Sequence, residues 1–551
     1  MAFDPNSLDK RWYLKVYLDE DTLCLSTLSY VLTDGTVVQG YVTAMTPLRR
    51  SAGSLEDPRI ELPTMQLTVR NRTDQSQELF SDLLDAYEWG NRQVDLVVGH
   101  GSDPANYETI WVGRVRFPGD STWTDETVTI RLVDARAADA RYLPATVFDT
   151  DTYPHLEAAA VDVPIPIVYG DFTSGVGTGV ALPAYQIDAT AGTGGRWKVA
   201  GHALAQLEAV YRNGSSVSFT PDLAVGEFVL NVTYTPGSDV VTVHCQGATD
   251  DGTPTGTLLQ AAPDIFRDLY VTHLEVASDG ISAPALAAWA ANLGPNDHMR
   301  RWIGGEETDS NELVAQLLLE GFADLSIRAG IYAPAFRVVA PDSDADLVTA
   351  AQIQTDATGR TKVFSVERSP ETVYCNETLA YYEHAPVSGA YARRYLAEDE
   401  EAIERLGVRY RRVLHLRWLY KPEGARDCAH RHVRAFAGEL ELATLKLGAD
   451  LITKGPGDQL RLVYAKYGAG DDEGVPFQLR QTETDPLTWS VSLTAWNMYR
   501  LLRGTWTEDA AVTWLTATAM QRFEKGFWTD DDGYADTTVP PDGASRRYRW
   551  S

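Results

Sequence analysis

The chain has 551 residues, 44% apolar and 23% charged, with a formal net charge of −29. That composition is globular rather than disordered, and the length predicts roughly three to four domains. The acidic residues are spread along the chain, which argues against a gripped nucleic acid, because holding phosphates needs basic patches. An apolar run of about 18 residues is nowhere present, so no membrane span is expected. The opening segment MAFDPNSLDKRWYLKVYL lacks the apolar core of a signal peptide, so synthesis in the cytoplasm and delivery by assembly are expected. Cys24, Cys245, Cys375 and Cys428 lie far apart without a CxxC pair, which predicts isolated reduced thiols rather than a zinc module or disulfide scaffold.

Residues 11 to 150 read as short strands with turn clusters between them, a pattern for a small antiparallel barrel or sandwich. The expected strands are Trp12–Leu18, Thr36–Ala44, Met65–Arg70, Gln93–Val98, Thr109–Phe117, Thr127–Asp134 and Arg141–Phe148, with a short helix or turn at Ser81–Trp89. Gly113, inside IWVGRV, predicts a bulge or a close backbone approach.

Val163–Phe172 (VPIPIVYGDF) is the pivot of the sequence. Pro164 and Pro166 fix their own φ and push the preceding residues to extended backbone, and Gly170 ends the run in a turn. After it the composition changes to Gly, Thr and Ala. Asn213-Gly214 predicts a hairpin between Leu207–Arg212 and Ser216–Thr220. A second hairpin is expected between Glu227–Tyr234 and Asp239–Cys245, joined by Pro236-Gly237.

Residues 264 to 345 read as α+β. A helix is expected near Asp264, another over Ala285–Leu293 opened by Pro284, and the clearest begins at Asp309, where Asp309 and Glu312 have capping-box spacing. Leu313, Leu317, Leu318 and Phe322 give it one apolar face, and a hairpin turning at Ala329-Gly330 follows. Beyond residue 360 the chain returns to β. Expected strands are Arg411–Tyr420, Glu439–Leu447 (alternating at Leu440 and Leu442, then slipping once to Leu445 and Leu447), Gln459–Tyr467, Phe477–Thr484 and Trp489–Trp496. A helix is expected over Glu423–Ala437 and a turn at Lys454–Asp458. From Thr505 the chain is acidic and turn-rich, an expected C-terminal arm.

Chemistry finds no foothold. Cys428, His430 and His432 are metal-ligand types, but residues two apart on a helix do not share a face, so a solvated helix turn is expected. Asp530–Asp532 with Asp536, and Asp342, Asp344 and Asp346, fit a calcium loop poorly. Gly175, Gly177 and Gly179 open no helix. Tyr381, Tyr382 and Trp496 are types that stack sugars, but read first as core or interface aromatics. No GxSxG, HExxH or P-loop is present. No catalytic, cofactor-binding or metal residue is assigned, and no cofactor is expected.

The order of these pieces resembles the tail hub proteins of tailed bacteriophages, the baseplate hub or tail-tip hub. LPTMQLTVRNR (62–72), Gln93–Gly99, IWVGRV (110–115) and RYLPATVF (141–148) are similar to the first barrel of such hubs. PIVYGD (166–171) is similar to the exit from that barrel, and WKVAGHALAQLEAVYRNG to the inserted β-domain. Thr444–Tyr467 with Gly455-Pro-Gly-Asp458, then Phe477–Leu479 and Trp489–Trp496, is similar to the last hub barrel. The resemblance covers roughly residues 10 to 500, rests on order and spacing, and lacks an appended lysozyme or peptidase module.

The resemblance implies a mainly β, multidomain chain with two hub-type β-barrels, an inserted β-domain and a small α+β domain. The expected divisions are 1–162 (first barrel), 163–175 (junction), 176–262 (insert), 263–350 (α+β), 351–503 (second barrel) and 504–551 (arm). It implies a non-enzymatic virion protein at the tail tip or baseplate, a homotrimer joining the tail tube to a distal fibre or spike. Two barrels per chain then match a sixfold tube to a threefold tip, around a channel through which DNA passes without specific binding. Gly455, Gly457 and Asp458 are expected to set a turn at a barrel rim, and Pro164, Pro166 and Gly170 the junction angle. The rival readings are a receptor- or carbohydrate-binding tail adhesin, favoured by exposed aromatics in residues 176 to 250, and a cell-wall hydrolase.

Overall fold

The protein is mainly β and multidomain. The computed structural model describes residues 7–497, except 20, 54–57, 59–60, 72–79, 117–121, 177–179, 338–344, 357, 360, 369–374, 438–440 and 465–473. The C-terminal arm therefore lies outside the described residues.

The N-terminal strands form a ten-stranded sheet whose centre is Lys10–Tyr17, Gln93–His100, Tyr107–Val115, Thr127–Asp134 and Thr64–Arg70. Alternation drives it: in Thr127–Asp134, Val128, Ile130 and Leu132 turn inward while their neighbours do not. Helix α1 (Phe80–Ala86) lays Phe80 between Tyr41 and Trp89, ring centroids 5.4 Å away on each side. Among the described residues the pairing path runs from Tyr30–Val31 to Val42–Met45 without closing on itself. The expected strand Thr36–Ala44 is broken in two, Val37–Gln39 and Val42–Met45. Arg141–Phe148 keeps only Tyr142–Leu143 as strand, because Pro144 has no donor to continue a ladder. The bulge expected at Gly113 falls instead at Ile110, where the register against Leu96 and Val97 slips. Gly113 is the close approach: a Cβ there would sit 2.0 Å from the Trp111 ring. The Trp111 Nε1–H donates to Asp134 Oδ2 at 2.9 Å, and burial pushes the Asp134 carboxyl up to about 6.

A seven-stranded sheet collects Asp346–Thr349, Phe364–Arg368, Glu441–Leu447, Gln459–Val463, Val475–Asp485 and Ser490–Asn497. Its seventh strand comes from the other end of the chain: Leu48–Ser51 pairs antiparallel with Thr484 to Gln481. The two sheets bury one common core, with Leu14, Leu96 and Ile130 in the same cluster as Leu445, Phe477 and Leu493. The slip expected in Glu441–Leu447 is absent. Glu441, Ala443, Leu445 and Leu447 share one face, while Leu442 points the other way onto a separate core with Trp496. Leu440 lies outside the described residues.

The insert is two small sheets over a core of its own, including Trp197, Val210, Phe228 and Val243. The Asn213-Gly214 hairpin forms with Arg212 facing Ser215. The second expected hairpin does not: Glu227–Leu230 and Val241–Gln246 belong to different sheets. Asp239 explains the connection, accepting from Thr235 N at 2.9 Å and from Asn213 Nδ2 at 2.6 Å, which ties the loop to the neighbouring turn.

Helix α2 (Ala262–Asp268) runs into a π turn over Leu269–His273, and α3 (Ala283–Ala291) starts behind Ser282, whose Oγ accepts from Ala285 N. Helix α4 (Ser310–Glu320) starts at Asp309, which accepts from Asn311 N at 2.8 Å. The reciprocal half of the capping box is not made, since Glu312 takes Gln316 Nε2 instead. Ala323–Arg328 and Ile331–Phe336 form the hairpin at Ala329-Gly330. A three-stranded sheet, Tyr391–Glu398, Glu377–His384 and Arg411–His415, follows with α5 (Glu400–Leu406) and α6 (Pro422–Phe436). The strand expected to reach Tyr420 stops at His415. These elements pack into a third core with Trp289, Leu317, Trp418 and Phe436.

Candidate functional site

The junction is where the insert, the α+β elements and the loop before α6 meet. Ile167–Tyr169 pairs with Arg301–Ile303, so the extended backbone that the prolines impose continues as a strand. Gly170 has φ +76°, and a Cβ there would lie 2.2 Å from Met299 O and 2.7 Å from Arg300 Cα. The insert grips this stretch by its backbone. Gly201 N donates to Pro166 O, Ala248 N to Val168 O, Gly247 N to Gly170 O, and Gly170 N to Leu259 O, all at 2.8–3.0 Å. Val168 N donates to His202 Nε2 at 2.9 Å, which requires a neutral ring; burial lowers the His202 pKa to about 4.

Side chains then lock the crossing from the opposite side. The Tyr169 hydroxyl donates to Asp268 Oδ2 at 2.5 Å, Thr272 Oγ1 donates to Asp268 Oδ1 at 2.7 Å, and burial raises the Tyr169 pKa. Arg300 is 2% exposed, with its guanidinium 4.5 Å from the Tyr420 ring centroid and 5.0 Å from that of Phe172. These contacts tie the insert's core to the α+β core at residues 166–172.

A second clamp forms at Gly455–Asp458. Asp458 Oδ2 accepts from Gly455 N at 2.9 Å, and Oδ1 from Arg328 Nη1 at 2.7 Å. Arg328 Nη2 reaches Pro456 O at 3.1 Å, and Arg50 Nη2 reaches Lys454 O at 2.7 Å. Gly457 has φ +88°, donates to Leu479 O, and leaves no room for a side chain, since a Cβ would meet Ala335 Cβ at 2.9 Å. One tight turn thus joins the strand Leu48–Ser51, the hairpin 323–336 and the seven-stranded sheet. Beside it Asp324 is buried between Arg337 and Arg480, and Arg480 lies 4.1 Å over the Trp496 ring.

The remaining sequence candidates come apart. Cys428 and His432 do share a face of α6, being one turn apart, and both are buried; His432 packs edge-to-face on Phe322 at 5.1 Å. Burial lowers the His432 pKa and pushes the Cys428 thiol up to about 12. His430 looks elsewhere, its Nε2 3.0 Å from the Tyr395 hydroxyl. Among the described residues no three His, Cys, Asp or Glu side chains gather as a metal would need. Asp346 pairs with Lys454 at 2.6 Å, while Asp342, Asp344, Asp530–Asp532, Asp536, Gly177 and Gly179 lie outside the described residues. Tyr382 and Trp496 are core, and Tyr381 stacks on His415 at 5.4 Å.

Sequence reasoning missed Glu320. It is 1% exposed at the end of α4, and its carboxylate accepts from the backbone N–H of Arg417, Trp418 and Leu419 at 2.6–3.1 Å. Burial raises its pKa to about 7 against the pull of those amides. A Glu in the last turn of an apolar helix, where the helix dipole disfavours it, was the available signal.

No protein-family model matches the chain, and no curated protein matches it. Among solved structures it is similar to a 43 kDa tail protein of prophage MuSo2 from Shewanella oneidensis, at 9% identity over 88% of this chain and 98% of that one, TM-score 0.41. It is also similar to prophage tail protein gp18 from Listeria monocytogenes EGD-e, at 9% identity over 88% and 94%, TM-score 0.39. A tail protein from Neisseria meningitidis MC58 matches at 6% identity over 89% and 98%, TM-score 0.37. These likenesses are too distant to carry a residue-by-residue correspondence.

Proposed function

We propose that this chain is a structural component of a bacteriophage tail tip or baseplate, a hub joining the tail tube to a distal fibre or spike. It works as a homotrimer without enzymatic activity, and its ring leaves a channel for DNA. The observation that carries this reading is the coupling of an N-terminal and a C-terminal sheet through one core, with the insert held by backbone hydrogen bonds to residues 166–170. The proposed divisions are those read from the sequence, with the strand Leu48–Ser51 lent to the second sheet. A wall of net negative charge suits a channel that must let phosphate pass.

The adhesin reading loses its discriminating feature. Of Tyr185, Trp197, Tyr211, Phe219, Phe228 and Tyr234 in the insert, Trp197 and Phe228 are buried and the rest are half-buried. Light scattering across a concentration series tests the hub. A closed trimer, or a multiple of three, supports it. A concentration-independent monomer that also clears a cell-wall zymogram overturns it in favour of a hydrolase.

A further inference from the structure

A row of polar side chains headed by two arginines runs onto the edge of the three-stranded sheet, and its register follows from the backbone. Met299 bridges Leu419 antiparallel, and Arg300 N donates to Trp418 O at 2.8 Å, which sets Arg301 directly opposite Arg417. Like charges facing each other across a strand pair are normally destabilising. On the other side, Tyr381 pairs with His415 in parallel and Leu416 N donates to Tyr381 O, which brings Arg417 beside Glu383 and His384. Glu383 has φ +59°, a local irregularity that turns its carboxylate inward to Arg393 and turns His384 toward its cross-strand partner Tyr391. The two rings lie 5.0 Å apart. Arg301, Arg417, His384 and Tyr391 thus succeed one another over four adjacent backbone segments, about 14 Å at normal strand spacing.

This row is rich in donors and poor in acceptors. Arg301 is 9% exposed, and its Nε and Nη1 have no hydrogen-bond partner among the described residues; the same holds for Nε1 of Trp418, whose ring lies 5.9 Å from the guanidinium. Glu320 lies close by, but its oxygens are taken by the three amides of residues 417–419. Arg417 has Glu312 at 3.5 Å, a pair exposed enough for water to screen. Burial, together with the charges of Arg301, Arg417 and Arg300, lowers the His384 pKa to about 4. Arg301 and Arg417 thus face each other with Glu312 screened by water and Glu320 committed to backbone amides. Beside the row, Tyr381, His415 and Tyr391 form a half-open aromatic ledge, with Tyr391 and His415 ring centroids 5.4 Å apart.

We propose that Arg301, Arg417, His384 and Tyr391 form a binding site for an oxyanion, the phosphate or carboxylate group of a ligand that lies across this sheet face. The planar guanidinium of Arg417 offers a fork to two oxygens, Tyr391 adds a hydroxyl donor, and Arg301 supplies a desolvated charge behind them. A bound anion relieves the repulsion between the two opposed arginines, so affinity comes partly from the free protein's own strain.

The test is titration of the full chain with inorganic phosphate and, separately, with acetate, at constant ionic strength. Histidine ring resonances and calorimetry are the readouts. Saturable binding is expected, with His384 titrating at higher pH when the site is filled. Arg417→Gln is expected to weaken binding at least tenfold and Tyr391→Phe severalfold. Arg196→Gln, an exposed arginine of the insert, is expected to leave it unchanged. Tyr391→Phe removes one hydroxyl from a half-buried ring and keeps the test valid should Arg417→Gln fold poorly. Stronger binding of phosphate marks a phosphorylated ligand; stronger binding of acetate marks an acidic side chain of a protein partner. Absence of saturation with both anions overturns the proposal, as does equal loss in Arg196→Gln.

Discussion

Replacing Gly170 by alanine perturbs the junction at its tightest point. Two costs add. A side chain at φ +76° costs roughly 1 kcal/mol over glycine. The new Cβ also lands 2.2 Å from Met299 O, a backbone atom that cannot rotate away, so the strands Ile167–Tyr169 and Arg301–Ile303 must part. Parting them strains or breaks the bonds from Gly170 N to Leu259 O and from Gly247 N to Gly170 O, each worth about 1 kcal/mol. The sum is about 3 kcal/mol of local stability. In a multidomain chain the quantity to read is local, so the assay is amide exchange at residues 167–170 and 247–248, with limited proteolysis alongside. Exchange there should accelerate a hundredfold or more, by roughly 1.4 kcal/mol per decade. The core shared by the two large sheets contains no residue of 163–175, so fragments from it should stay protected. Gly170→Val should do the same. Unchanged exchange at 167–170 in Gly170→Ala would refute the reasoning.

Three further outcomes are expected. His202 is held neutral with its pKa lowered to about 4 from 6.5, so its contribution is present above pH 6.5 and lost as pH falls through 4, about 3 kcal/mol in all. His202→Gln keeps an acceptor for Val168 N, and a pH series of urea midpoints should show that acid sensitivity reduced. Glu320 has the opposite sign: its pKa is raised to about 7 from 4.5, so stability falls as pH rises from 4.5 through 7, by at most about 3 kcal/mol, and Glu320→Gln should flatten that slope. Asp324→Asn strips the shared counter-ion from Arg337 and Arg480, and thermal melts should show a loss of about 3–5 kcal/mol, against under 1 kcal/mol for a surface change such as Glu423→Gln.

What the sequence revealed was what neighbours in the chain decide among themselves. The Asn213-Gly214 and Ala329-Gly330 turns, the start of α4 at Asp309 and the extended run after Pro164 depend on local backbone preference, and each formed as read. Errors arose where partners are remote. Glu227–Leu230 and Val241–Gln246 looked like a hairpin because they are adjacent in sequence, yet each is claimed by a different sheet. Leu442 looked like a slip because alternation assumes one core, and this strand touches two. The turn at Gly455–Asp458 was legible as a turn, but its role as a clamp depends on Arg328 and Arg50, which no local pattern links to it. The facing of Arg301 and Arg417 was likewise invisible, since only the Met299–Leu419 bridge sets it.

The strand Leu48–Ser51 also bears on how the protein is made. Its partner, Val475–Asp485, is nearly the last described segment to leave the ribosome. At usual elongation rates the wait is on the order of tens of seconds. Through that interval the apolar face that will meet Leu445, Phe477 and Leu493 stays open, and the edge at residues 48–51 is unpaired. Such a nascent chain invites the wrong neighbour, above all another copy on the same polysome. Expression of halves should therefore yield insoluble N-terminal fragments that co-expression of residues 345–551 rescues, so completing the chain is itself the step that closes its first core.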